Sequence, residues 1–358
     1  MRTIRRYVTR QVLAATLLVF VALLLLFAFF DLIQELADIG KGSYGLTIAL
    51  LKVGLALPGH LYELFPVAAL LGTLFALAQL VASSEYTVMR VSGVSSRAMV
   101  FTLLPLGIAL AVATFLVGEF VAPLSEAAAQ RILLQKRNTG IVAQEFRSGL
   151  WVKDDDSFIN VAQVTTDAEL TGIRIYAFDD QYRLQSIREA AHGTFRGGNR
   201  WHLTDVKGTD FEPDRTRAFR LAEQEWTSVL NPGILNVLMV VPEKMSVGDL
   251  YTYIGHLREN KQATQRQEIA LYGKIAYPIA VIVMMILALP FAYIRVREGG
   301  ISGKIFAGIM LGLSFHLISR LFGHLGLLNA WPPLLSAALP TCLFLLIAFG
   351  MMYWVERR

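Results

Sequence analysis

Apolar residues run almost unbroken from Val12 to Phe30, behind a start that carries Arg2, Arg5, Arg6 and Arg10. Such a run reaches the roughly 20 residues that a helix needs to cross a bilayer. It predicts a first transmembrane helix with a cytoplasmic N-terminus, since Lys and Arg accumulate on that side. Five more runs of this kind follow, at about 60–81, 98–121, 269–294, 305–322 and 334–354. Pro58 and Pro66 are expected to bend the entry of the second, and Pro278 and Pro290 to kink the fourth. Thr47 to Leu57 is apolar but short and broken by Lys52, which predicts a separate interfacial or lead-in helix. The basic clusters beside spans, including Arg295, Arg297, Lys304, Arg357 and Arg358, all fall on one side when both termini are cytoplasmic.

Between the third and fourth spans the pattern changes. Leu124 to Arg137 reads as a helical extension rising from the membrane. Short alternating segments then follow: Leu150–Val152, Phe158–Val161, Ile173–Phe178, Arg183–Ile187, Gly193–Arg196, Trp201–Leu203 and Phe219–Leu221. Gly197-Gly198-Asn199 is a hairpin signal, and Asp154-Asp155-Asp156 and Asp179-Asp180-Gln181 are expected turns. Many short strands with regular turns predict a sandwich or open barrel rather than a parallel sheet. Ser246 to Glu259 returns to helix, with Ser246 and Asp249 at capping-box spacing. The expected parts are therefore 1–137 (spans one to three), 138–245 (the β domain) and 246–358 (a connecting helix and spans four to six).

Composition sharpens this picture. Of 358 residues, 54% are hydrophobic and only 17% charged, which excludes an ordinary soluble domain. The net charge of +5 sits beside the apolar runs, so it reports topology and no nucleic-acid partner. One cysteine, Cys342, allows neither a disulfide framework nor a Cys-based metal site. The first apolar stretch is too long for a cleavable signal. Gly299 to Ile305 faintly resembles a phosphate loop, but Glu298 stands where the first glycine belongs and Ile305 follows the lysine, so a flexible loop is expected. Glu63 and Glu119, near span ends, read as solvated carboxylates and not as a proton relay.

Two polar features stand out. His316, Arg320 and His324 recur at i, i+4, i+8, hence on one face of the fifth span; they face a cavity or snorkel outward, and Lys274 in the fourth span shares that choice. Histidines so spaced around an arginine are poor metal ligands, while Trp151 and Trp201 read as strand-packing aromatics. The second feature is Ser84 to Gly93, a polar segment wedged between two spans. Ser83 or Ser84 can cap a short helix there and Gly93 can stop it. Glu85 stacks with Met89, and Tyr86 with Arg90, on neighbouring stripes. It is either an interfacial helix or a cytoplasmic knob for a groove on a partner protein.

Several motifs carry a family resemblance: Gly42-Ser43-Tyr44, Phe65 to Gly72, Ser84-Glu85 with Val88-Met89 and Ser92-Gly93, and Gly118-Glu119 with Val121-Ala122-Pro123. Gly149-Leu150-Trp151 with Lys153-Asp154, and Ile175 to Phe178 with Arg183 to Ser186, add to them. With these the chain resembles, nearly end to end, the LptF/LptG family of lipopolysaccharide-export permeases, and more closely the LptG branch. The resemblance implies an α-helical polytopic membrane protein of six transmembrane helices (3+3) with an inserted periplasmic all-β jellyroll-like domain, in the bacterial inner membrane. It implies a non-enzymatic permease with no cofactor of its own, ATP and Mg²⁺ belonging to two copies of a cytoplasmic LptB-like ATPase. The further partners implied are an LptF-like second permease, an LptC-like single-span protein with a periplasmic bridge, and lipopolysaccharide itself.

The same resemblance makes segment 84–92 a coupling helix, with Glu85 foremost at the ATPase and Tyr86, Met89 and Arg90 beside it. It makes the first and fifth spans lateral gates, placing His316 and Arg320 near the lipid path. Family relatives carry lysines at the outer end of the first span, whereas here Asp31, Glu35 and Asp38 leave only Lys41 basic. A divalent cation would then mediate headgroup contact, or recognition passes to Arg131, Lys136, Arg137 and Arg320. Alternatives are an LptF-type paralogue, a mechanotransmission permease (which usually has four spans), or a lipid-modifying membrane enzyme, for which His316 with Arg320 lacks a nucleophile.

Overall fold

The computed structural model describes the chain apart from residues 1, 38, 41–44, 137–149, 155–156, 165–168, 180, 213, 229, 231–240, 260–261, 294–299 and 358. At 130–136, 163, 292–293, 300–301 and 356 it describes the backbone only. The helices among these residues are α1 (Arg2–Leu36), α2 (Leu46–Ala82), α3 (Glu85–Val91), α4 (Ser96–Leu116), α5 (Ala122–Lys136), α6 (Val247–Glu259), α7 (Gln265–Tyr293), α8 (Gly300–Leu328) and α9 (Pro333–Arg357). Six helical stretches are long and apolar enough to cross a membrane: α1, α2, α4 with its continuation, α7, α8 and α9. Their alternating direction brings the N- and C-termini and α3 to one end of the bundle.

Apolar side chains all round α2 and α7 put these two helices at the bundle centre. Phe20 of α1 packs edge-on against Phe65 of α2 with ring centroids 4.7 Å apart, and Phe315 of α8 against Phe344 of α9 at 5.3 Å. Helices α1 and α2 approach so closely that a Cβ on Gly72 would lie 2.6 Å from the Thr16 backbone nitrogen. Small residues admit such backbone proximity in membranes, where packing and not hydrophobic transfer joins helices.

Two expectations give way here. The stretch 47–57 is no separate helix; α2 runs unbroken through it, through Pro58 and through Pro66. Lys52 does not interrupt it, because Glu35 of α1 receives the Lys52 ammonium. The glycine-rich segment expected as a flexible loop is helical from Gly300 onward. A membrane helix satisfies its own backbone groups, and that favours helix even for glycines and serines at its start.

Among the described residues the inserted domain has six strands: β1 (Leu150–Asp154), β2 (Ser157–Val164), β3 (Leu170–Phe178), β4 (Leu184–Gly197), β5 (Arg200–Phe211) and β6 (Thr216–Thr227). Each pairs antiparallel with its sequence neighbour. The described strands thus follow one another as an up-and-down meander. Arg183–Ile187 and Gly193–Arg196, expected as two segments, merge into β4. Gly198 (φ +59°) and Asn199 (φ +61°) link β4 to β5, the two left-handed residues that a type I′ turn demands.

Alternation buries Leu150, Val152, Ile159, Val161, Ile173 and Ile175 on one face. Asp205, at φ +51°, shifts that alternation so that inward positions step from Leu203 to Val206. The sheet curls until Ser228, just past β6, donates to Asp154 Oδ2 at the end of β1 (2.6 Å). Trp201 is fully buried beneath the closure and donates its indole N–H to the Leu230 carbonyl at 2.7 Å. Trp151 lies instead on the outer face, half exposed and stacked on Tyr176. Trp201→Ala is expected to lower the domain's stability by about 3–5 kcal/mol and to cut its resistance to limited proteolysis, whereas Trp151→Ala leaves both nearly unchanged.

Candidate functional site

At the end that carries the termini, α3 is a short helix set between two left-handed residues, Ser84 (φ +64°) and Gly93 (φ +90°). Ser84 caps with backbone geometry alone; its side chain makes no cap bond. At the other end Gly93 N–H donates to the Arg90 carbonyl and Val94 N–H to the Met89 carbonyl, both at 3.0 Å. That bond pair, with Met89 and Val94 buried together, is a Schellman cap.

The helix faces are not those its sequence suggested. Tyr86 and Met89, expected at a partner, are buried in the bundle core and anchor the helix there. Val88 (65% exposed) and Val91 (85% exposed) project outward beside Arg90. Glu85 is half-buried and already engaged: the Tyr7 hydroxyl of α1 donates to its Oε2 at 2.8 Å and Ser83 Oγ to its Oε1 at 3.0 Å. Tyr7 also accepts from Gln11 Nε2 at 3.1 Å. Sequence reading missed Tyr7, although a tyrosine among arginines at the foot of an apolar helix was the available signal.

At the opposite end lies a cavity of about 230 Å³ lined by Asp31, Glu35, Lys52, His60, Lys244 and Lys274 among others. Two carboxylates at the acidic end of α1 find partners inside this chain. His60 Nε2 stands 2.6 Å from Asp31 Oδ2, and Lys52 pairs with Glu35. Two carboxylates four residues apart on α1 thereby meet two bases eight apart on the antiparallel α2, each set on one helix face. Neither headgroup contact by a cation nor a displaced basic site is needed to explain why those carboxylates are there.

The headgroup candidates are scattered. Lys41 and Arg137 fall outside the described residues, and Arg131 and Lys136 belong to α5, described there by backbone alone. His316 lies beside Phe315 and is half-buried, while Arg320 and His324 are exposed. Arg320 continues the outward stripe of Phe306, Met310, Leu313 and Leu317 on α8. None of these three lines the cavity.

Where α4 meets α5 the helix takes one π turn, Val117–Val121. Gly118 there packs so closely on Tyr62 that a Cβ would overlap its ring. Glu119, expected in solvent, accepts from the Val247 N–H at 2.8 Å and the Gly248 N–H at 3.4 Å, at the start of α6. Lys274 does not snorkel; it lines the cavity, is buried and donates to the Met245 carbonyl. Ser246 Oγ and Asp249 form the expected cap, the Asp249 N–H donating to Oγ at 3.0 Å. In the last turn of α6, Arg258 pairs with Glu268 of α7 at 2.8 Å, and that carboxylate pushes the guanidinium's pKa further up.

Comparison with known proteins adds the remaining finding. The family model "Lipopolysaccharide export system permease LptF/LptG" matches residues 6–354. The chain is similar to the lipopolysaccharide export system permease protein LptG of Escherichia coli strain K12, with 31% identity over 97% of both chains. It is similar also to the protein of that name from Haemophilus influenzae, with 29% identity over 99% of this chain and 98% of the relative.

Proposed function

The chain belongs to the lipopolysaccharide export system permease family LptF/LptG, and on that footing we propose that it is the LptG-type permease subunit of an ABC transporter. It draws lipopolysaccharide out of the inner membrane and hands it to a periplasmic bridge toward the outer membrane. Both termini and α3 lie in the cytoplasm, and the six-stranded domain lies in the periplasm. The companions are an LptF-like second permease, two copies of an LptB-like ATPase that hold ATP and Mg²⁺, and an LptC-like single-span protein.

One observation carries this reading. α3 is rooted in the bundle by Tyr86 and Met89 and capped at its end, yet it turns Val88, Arg90 and Val91 outward. A short helix built so firmly into the core, with an apolar and cationic outer face, fits the groove of a cytoplasmic partner. Arg320 fits the same function: an exposed cation on an otherwise apolar stripe is costly in lipid, and an anionic headgroup offers it phosphate oxygens in bidentate geometry.

The test is purification of the chain with its companions from solubilised membranes, followed by reconstitution in vesicles that contain lipopolysaccharide. An ATPase and a second six-span permease should co-purify, and ATP should drive lipid onto a periplasmic acceptor. A complex that contains no ATPase would refute the assignment.

A further inference from the structure

The segment that leads from the β domain back into the membrane is gripped from several sides. Residues Pro242–Lys244 form a 3₁₀ turn, and α6 begins three residues later. Lys244 Nζ reaches Glu126 of α5 at 2.9 Å. Arg266 of α7 lies 3.5 Å from Glu243. Lys274 of α7 donates to the Met245 carbonyl, and its ammonium also stands 5.9 Å from the centre of the Tyr62 ring. Glu119 completes the grip on the Val247 and Gly248 N–H groups. Side chains from the third and fourth spans thus hold the segment 243–248 along its length.

Glu119 is the contact that the fold makes a special arrangement to obtain. A π turn adds one residue to a helical turn, rotates the helix beyond it, and tends to occur where a side chain has a task. Gly118 lets the distorted turn sit flush on Tyr62, and Tyr62 in turn lies against Tyr277 of α7 at 5.0 Å. The carboxylate so presented meets free N–H groups at the positive end of a 13-residue helix, a charge-assisted contact. Ser246 and Asp249 already cap that helix within its own sequence. Glu119 is therefore not needed to start α6; it determines which span α6 is fastened to.

Resting on the permease reading, we propose that Glu119 is a positioning residue that locks the 243–248 segment to the third span, so that the start of α6 moves with that span. It touches no lipid and no nucleotide. Its effect is on how much lipid moves for each ATP consumed.

The experiment uses the whole complex carrying Glu119→Ala or the near-isosteric Glu119→Gln. Two quantities are read: lipopolysaccharide delivered per ATP hydrolysed in vesicles, and the distance between spin labels at Leu124→Cys on α5 and Tyr251→Cys on α6, with Cys342→Ser. Both label sites are exposed. Wild type should give one narrow distance with and without nucleotide. Glu119→Ala should broaden it and lower lipid per ATP about tenfold while hydrolysis stays within about twofold of wild type. Glu119→Gln keeps one acceptor oxygen and should fall between, near threefold. Hydrolysis and delivery falling together would mean a merely structural role and overturn the proposal, as would a narrow distance or an unchanged ratio in Glu119→Ala. If wild type delivers no lipid, the permease reading fails, and the distance measurement still decides whether Glu119 holds the joint.

Discussion

Gly72→Ala should break the permease at the seam between α1 and α2, because a single methyl group has nowhere to go. A Cβ at this position would lie 2.6 Å from the Thr16 backbone nitrogen, and a backbone atom cannot step aside as a side-chain tip can. Helix α1 must shift as a body, which draws its own buried row of Val8, Val12, Ala15 and Phe20 away from the bundle core. Overpacking typically costs about 1–3 kcal/mol and more where relief requires a helix to move. The expected result is loss of most folded material on size-exclusion chromatography, or a fall of many degrees in the melting midpoint in detergent. Gly308→Ala is the control: there the Cβ would meet the methyl ends of Leu74 and Leu71 at 2.7 and 2.9 Å, which can rotate away. Its melting midpoint should fall much less.

On the proposed coupling role, Glu85→Ala should leave the fold intact and weaken the hold on the proposed ATPase partner. Glu85 holds Tyr7 and Ser83 in half-exposed bonds, so its removal costs the fold little. At an interface, truncating a hydrogen-bonded charge typically costs about 2–5 kcal/mol, or about 30-fold or more in affinity. The ATPase should wash off Glu85→Ala complexes in a pull-down that retains it on wild type, with an unchanged melting midpoint. Tyr7→Phe separates the two roles of the carboxylate. It frees Glu85 from α1 without touching its charge, so ATPase binding should persist while any communication from α3 to α1 is lost.

Much of the membrane part was legible because its signals are one-dimensional. Length, apolarity and the placement of arginines located six spans, and turn residues located the hairpin at Gly197–Asn199. What escaped depends on two helices at once. Lys52 looked like a break because its partner, Glu35, lies on another helix. Glu119 looked solvated because its partners are backbone N–H groups 128 and 129 residues away. Tyr86 and Met89 were placed on the wrong surface since a seven-residue helix has little periodicity to show which face turns inward. The β domain was legible as β, but its sequential strand order required pairing partners that alternation alone does not name.

The sheet's neighbour-to-neighbour pairing bears on how the protein is made. Every strand finds its partner in the strand synthesised just before it, so each loop to close is short and the entropy lost at each step is small. The growing edge of each of β1 to β5 stays unpaired only until the next strand emerges, which limits the time in which a half-made sheet can recruit a neighbouring chain. Among the described residues one long-range step stands out. The bond between Asp154 and Ser228 spans 74 residues and cannot form until the last strand is complete. That step, and the burial of Trp201 under Leu230 that accompanies it, marks the point at which a nascent domain becomes a finished one.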